Sequence, residues 1–188
     1  MDWAEPVAVT LALAYVVFAI KERRFAWVLA AASAALYLRI FFVVGLFMEA
    51  GLQLFYILMA IYGWVAWGRD SGATQLPIKR WPLRLHLLLL AAVLVLGTLL
   101  GLLLSQFTNA SLPIPDSITT IAALLATWMV ARKILENWLW WIGIDLASIV
   151  LFLNRGLDLT ALLFAGYVVL ALAGWLSWKQ HYQTQIRC

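Results

Sequence analysis

Seven long apolar blocks set the terms for any fold this chain can adopt. They fall at 5–20, 25–44, 49–67, 85–104, 116–132, 137–154 and 158–178, and all charge except Arg39 and Asp145 lies between them or at their end residues. Each approaches the roughly 20 residues that cross about 30 Å of hydrocarbon as an α-helix. In lipid, a helix is also the form that satisfies its own backbone polar groups within one segment. The chain is 65% hydrophobic and 12% charged, with a mean hydropathy of +0.95, so too little polar surface remains to coat a water-soluble globule. The sequence therefore predicts an all-α integral membrane protein with seven transmembrane helices in a single transmembrane domain. The longest connection, Gly68 to Arg84, leaves no room for a separate soluble domain.

The first block follows an acidic start, Met1-Asp2-Trp3-Ala4-Glu5, which lacks the basic region of a cleavable signal peptide and so predicts that this block stays as helix one. The single cysteine, Cys188, has no intrachain partner and carries no redox information. Basic residues place the loops. Lys21, Arg23, Arg24, Arg69, Lys79, Arg80, Arg84, Arg132, Lys133, Lys179 and Arg187, eleven of the thirteen, fall on one side of the seven spans. Arg39 and Arg155 fall on the other, with the acids Asp2, Glu5, Glu49, Asp116 and Asp158. The positive-inside rule then puts the N-terminus outside and the C-terminus in the cytoplasm. The pI near 9.5 is read as this orientation signal and not as a nucleic-acid footprint.

Sliding the chain against itself by 111 residues without a gap superimposes Trp27 on Trp138, Phe41 on Phe152, Gly45 on Gly156 and Leu46 on Leu157. The match continues with Tyr56 on Tyr167, Gly63 on Gly174, Trp64 on Trp175 and Trp67 on Trp178, while Lys21 meets Arg132 and Glu5 meets Asp116. Its clearest piece is Gly-Trp-x-x-Trp, at Gly63 and again at Gly174. The unit is three helices, at 5–67 and 116–178, with the helix at 85–104 as linker. An odd unit plus one crossing makes the repeats parallel, a 3+1+3 arrangement in which transporters hold substrate between two halves near the midplane. Duplication kept for stability alone is the competing account.

Polar residues inside the blocks are the candidate site. In helix six, Trp138, Trp141, Asp145 and Ser148 share a stripe roughly 80° wide at about 100° per residue, next to Asn137 at its start. Asp145 lies near the midplane, where an ionisable group is costly unless it faces protein, water or a cation. A carboxylate with indoles one and two turns away suits a flat cationic ring. Alternatively, Asp145 is a protonated acid bonded to a neighbouring helix, and Trp138, Trp64, Trp67, Trp175 and Trp178 are interfacial anchors. Gln53, Tyr56 and Trp67 form a stripe on helix three. Ser117, Thr120 and Thr127, with Trp128 adjacent, form one on helix five, where ligand binding and helix packing are equally good readings. Gly63 and Gly174 predict close helix contacts.

Several chemistries lack their residues. The lysines Lys21, Lys79, Lys133 and Lys179 all fall at block boundaries, so a retinal Schiff base is not expected. His86 and His181 have no cysteine near them in a metal-ligand spacing. No phosphate-cradling glycine loop or nucleophile elbow is present. The expectation is a protein that is not an enzyme and needs no cofactor.

The runs Leu52-Gln53-Leu54-Phe55-Tyr56, Tyr62-Gly63-Trp64-x-x-Trp67 and Arg132-Lys133-x-x-Glu136-Asn137-Trp138-x-x-Trp141, with the Gly174-Trp175-x-x-Trp178 ending, resemble the PnuC family of bacterial vitamin transporters. The resemblance covers all seven helices. It implies uptake of nicotinamide riboside, or in relatives thiamine or riboflavin, by facilitated diffusion with trapping by a cytoplasmic kinase. It also implies a homotrimer in the bacterial inner membrane with a fold similar to the sugar-transporting SWEET proteins. The family's helix-six aromatic pair corresponds to Trp138 and Trp141, and its helix-three glutamine to Gln53. Asp145 is a departure, because nicotinamide riboside transporters of this family commonly carry Asn there. Both nicotinamide riboside and thiamine bear a cationic ring, so nicotinamide riboside leads and thiamine follows closely. A ligand sensor or scaffold that transports nothing is the alternative.

Overall fold

The computed structural model describes residues 4–43, 47–68, 76–107, 112–154, 156 and 158–187. Asp2, Gly45, Leu46, Arg69, Arg155, Leu157 and Cys188, and the side chain of Glu49, lie outside the described residues. Within them the chain forms seven helices: α1 (Ala4–Ile20), α2 (Ala26–Val43), α3 (Phe47–Ala66), α4 (Leu83–Phe107), α5 (Pro113–Ala131), α6 (Asn137–Asn154) and α7 (Asp158–Gln185). Each coincides with one expected block. The largest difference is α7, which runs seven residues beyond the apolar block through Lys179-Gln180-His181-Tyr182-Gln183-Thr184-Gln185. Those residues are polar but mostly tolerate a helix, so apolarity ends there and helicity does not.

Five of the described helices, α2, α4, α5, α6 and Thr160–Gln185 of α7, are long and apolar enough to cross a membrane. Ala4–Ile20 and Ala50–Ala66 are apolar but shorter. At 17 residues, α1 stands at the lower limit for a span. The outward surfaces carry leucines in number; on α4, Leu83, Leu87, Leu88, Leu90, Leu94, Leu96 and Leu99 are all exposed, as expected where lipid is the solvent.

The chain forms two compact units. One holds α1–α3 with Val130–Lys133 and the residues from Gln180 on; the other holds Lys79–Met129 and Ile134–Lys179. In the first, α2 packs against both α1 and α3. A Cβ on Gly63 of α3 would run into the Trp27 indole of α2, and Trp27 meets Trp67 edge to face at 5.4 Å and 84°. The second unit contains the same device 111 residues later. A Cβ on Gly174 of α7 would lie 2.6 Å from the Trp138 ring, and Trp138 meets Trp178 at 5.4 Å and 89°. The expected close contacts at the two glycines are therefore indole against bare backbone. The interfacial-anchor reading fails for Trp138 and Trp178, which are 3% and 0% exposed and pack inside the unit. Trp64 stays at the surface, with the Arg24 guanidinium 3.8 Å above its ring.

In the second unit α4 and α5 approach through Gly97 and Gly101, where added Cβ atoms would meet the Ile118 and Ile114 backbones. Val93, Ala122, Ala123, Ala126 and Ile144 form the core there, with Trp140 and Trp141 against it. The segment before α4 is tied to the α5–α6 turn: Leu135 N–H donates to the Lys79 carbonyl at 2.8 Å.

Candidate functional site

The start of α6 is held by Asn137, fully buried, whose Nδ2 donates to the Ile134 carbonyl at 2.7 Å; its Oδ1 has no partner. One residue on, Trp138 faces α7 and Trp141 turns to the core beside α5. Asp145 is 4% exposed and Ser148 is also buried. The four share one face, since seven residues from Trp138 to Asp145 bring a helix back to within about 20° and advance it about 10 Å.

Two groups on that face are unsatisfied. The Trp138 indole N–H is buried and has no acceptor among the described residues. Asp145 receives no hydrogen bond or ion pair from any described residue. The alternative in which Asp145 bonds a hydroxyl of a neighbouring helix therefore finds no such partner among the described residues. A buried polar group without a partner costs about 1–3 kcal/mol, and more when charged, so a donor and an acid left open on one helix face are the features of a site for a polar ligand.

The remaining candidates divide between the units. On α5, Thr127 Oγ1 donates to the Ala123 carbonyl at 2.7 Å, a bond within its own helix that favours the packing reading for this residue. Thr120 is half-buried. Trp128 packs against Trp81 at 5.5 Å. In the first unit, Gln53 is half-buried with no described partner for its amide, and Tyr56 lies edge to face with Phe55 at 5.9 Å. Trp27, the repeat counterpart of Trp138, also holds a buried indole N–H without an acceptor. Its match to Trp138 in the 111-residue repeat was the signal for it.

Two polar clusters had no signal in the sequence. In the first unit, buried Lys133 pairs with Glu22 at 2.7 Å, and Glu22 also faces His181. Lys133 lies at a block boundary as expected but is 2% exposed, not solvated. In the second unit, Glu136 accepts from Arg80 Nε at 2.9 Å and from the Trp81 N–H at 3.2 Å, and His86 accepts from Trp140 Nε1 at 3.2 Å. The partners are separated by 54 or more residues in each side-chain pair.

Helices long and apolar enough to cross a membrane, one of them holding a buried acid and an indole donor with no partner among the described residues, are features found in membrane transport proteins. Residues 2–180 match the family model described as nicotinamide mononucleotide transporter, and the chain belongs to that family. It is 26% identical to the nicotinamide riboside transporter PnuC of Escherichia coli, over 95% of this chain and 85% of that one. It is 28% identical to the riboflavin/roseoflavin transporter RibM of Streptomyces davaonensis, over 69% of this chain and 63% of that one. The crystal structure of a vitamin B3 transporter PnuC has the same fold, with a TM-score of 0.76 at 23% identity, over 97% of this chain and 83% of that one.

Proposed function

We propose that this protein takes up a B vitamin bearing a cationic ring, with nicotinamide riboside as the leading substrate and thiamine second. The single observation that carries this reading is Asp145, a buried carboxylate with no partner among the described residues, on the α6 face that also holds Trp138 and Trp141. A positive ring supplies the missing counter-charge, and an indole face adds attraction of about 0.5–2 kcal/mol. The Trp138 N–H remains to donate to a ribose or hydroxyl oxygen. Nicotinamide riboside leads because family relatives are named for it; thiamine shares the cationic ring. RibM is named for riboflavin, whose ring is neutral and makes less use of a carboxylate.

The proposal extends to a parallel 3+1+3 arrangement with the N-terminus outside, and to a homotrimer in the bacterial inner membrane. Movement is by facilitated diffusion, and a cytoplasmic kinase traps the product. The test is uptake by proteoliposomes containing the matching kinase and ATP. Labelled nicotinamide riboside or thiamine should accumulate as the phosphate. Failure of both, with riboflavin also excluded, would leave the sensor or scaffold reading.

A further inference from the structure

A cavity of about 560 Å³ opens in the second unit between α4, α5 and α6. Its mouth is rimmed by exposed leucines, among them Leu83, Leu87 and Leu139, so it faces the surroundings that lipid occupies. On α6 it is lined by small groups: Gly143, where an added Cβ would meet nothing within 4 Å, and Ala147. One end is polar, with Arg80, Trp81, His86, Glu136 and Trp140.

The polar end has a definite hydrogen-bonding demand. Trp140 Nε1–H donates to His86 Nδ1 at 3.2 Å, so Nδ1 carries no proton and the ring proton sits on Nε2. That Nε2–H is buried and has no acceptor among the described residues. The nearest carboxylate oxygen, Glu136 Oε2, is 3.7 Å away, beyond hydrogen-bond reach, and already accepts from the Trp81 N–H. Glu136 is also matched by Arg80, so it does not set the charge of this end. With Arg80 matched to Glu136, Lys79 and Arg84 are two exposed cations flanking the lining at the head of α4, and the stretch 76–107 contains no acid. The occupant called for is anionic and rich in acceptor oxygens at one end and apolar along the rest.

We propose that this groove binds an anionic phospholipid, with a phosphate oxygen accepting from His86 Nε2–H beside Arg80 and an acyl chain lying along Leu90, Gly143 and Ala147. Basic pockets between membrane helices recognise lipid headgroups in this way. The apolar body of the groove distinguishes a lipid from a free phosphate, which would use the polar end alone. The site is separate from the Asp145 face, and the inference does not depend on which vitamin is carried.

Native mass spectrometry of the full chain released from detergent tests it, with phosphatidylglycerol, phosphatidylcholine and inorganic phosphate as probes. Phosphatidylglycerol adducts should survive activation that strips phosphatidylcholine, and inorganic phosphate should not displace them. Gly143→Leu should reduce phosphatidylglycerol occupancy, because the side chain fills open space without a clash. His86→Phe should lower the affinity roughly tenfold or more, the loss of a hydrogen bond to a charged group. Equal retention of both lipids, displacement by inorganic phosphate, or full occupancy in a monodisperse Gly143→Leu protein would each overturn the assignment.

Discussion

Glu22 and Lys133 occupy equivalent places in the two repeats, 111 residues apart, and they meet: Lys133 Nζ lies 2.7 Å from Glu22 Oε2. Both have φ of 52°, in the left-handed region that residues other than glycine seldom enter. The same turn is thus built after α1 and after α5, with an acid in one copy and a base in the other. Their side chains are only 8% and 3% exposed. Removing one partner from such a pair costs about 3–5 kcal/mol because the other charge stays buried alone. Glu22→Ala, which leaves Lys133 buried without its carboxylate, should therefore sharply lower the unfolding temperature in detergent, and Lys133→Ala, which leaves Glu22 facing His181, should lower it less. The double variant Glu22→Leu/Lys133→Met should recover much of the loss, which a merely additive effect would not allow.

The glycine positions divide by what their missing side chain faces. Gly174→Leu forces atoms into the Trp138 ring, and Gly63→Leu does the same to Trp27. Overpacking of this kind costs about 1–3 kcal/mol. Gly143→Ala meets open space and should be neutral or stabilising, by up to about 1 kcal/mol from helix propensity. Thermal unfolding should place Gly174→Leu and Gly63→Leu below the parent protein and Gly143→Ala at or above it.

The helices were legible because apolar blocks report where lipid lies. Where helicity outlasts the membrane, as in α7 beyond Trp178, the same signal falls short. The Gly63 and Gly174 contacts were legible as close approaches, but not their partners, since Trp27 and Trp138 stand 36 residues earlier in each repeat and only the tertiary fold brings them together. Gly97-x-x-x-Gly101 is the small-residue spacing that lets α4 and α5 approach. On α6 the stripe of Trp138, Trp141, Asp145 and Ser148 followed from helical geometry alone. That Asp145 and the Trp138 N–H have no partners did not, because an absent partner is a property of every neighbouring helix at once.

Trp141 and Trp138 should differ under substitution. Trp138 packs against Trp178 and Gly174, so Trp138→Phe should reduce stability as well as binding, with the edge-to-face contact and the free N–H both altered. Trp141 is partly exposed at the edge of the core. Trp141→Phe should leave unfolding nearly unchanged and weaken nicotinamide riboside binding roughly 2- to 30-fold, the range of one cation–π contact. Titration of substrate into each purified variant, paired with its unfolding temperature, separates the two roles.

In the proposed function Asp145 is the counter-charge of the substrate's cationic ring. Asp145→Asn keeps the size of the side chain and removes its charge, so the α6 packing is preserved. In the protein without substrate the change should be neutral or stabilising, because an unpaired buried carboxylate is itself costly. In the complex it removes the counter-charge of the ring, which a hydrogen bond or close pair with a charged group values at about 1.5–3 kcal/mol, or roughly ten- to hundredfold in affinity. Nicotinamide riboside and thiamine should lose by up to that factor, or the preference between the two should shift, while riboflavin, with no cationic ring, should be unaffected. Competition binding with the three vitamins reads all of this in one experiment. If both cations bind the variant as tightly as the parent, the carboxylate faces structure and not substrate, and the cationic-ring reading falls with it.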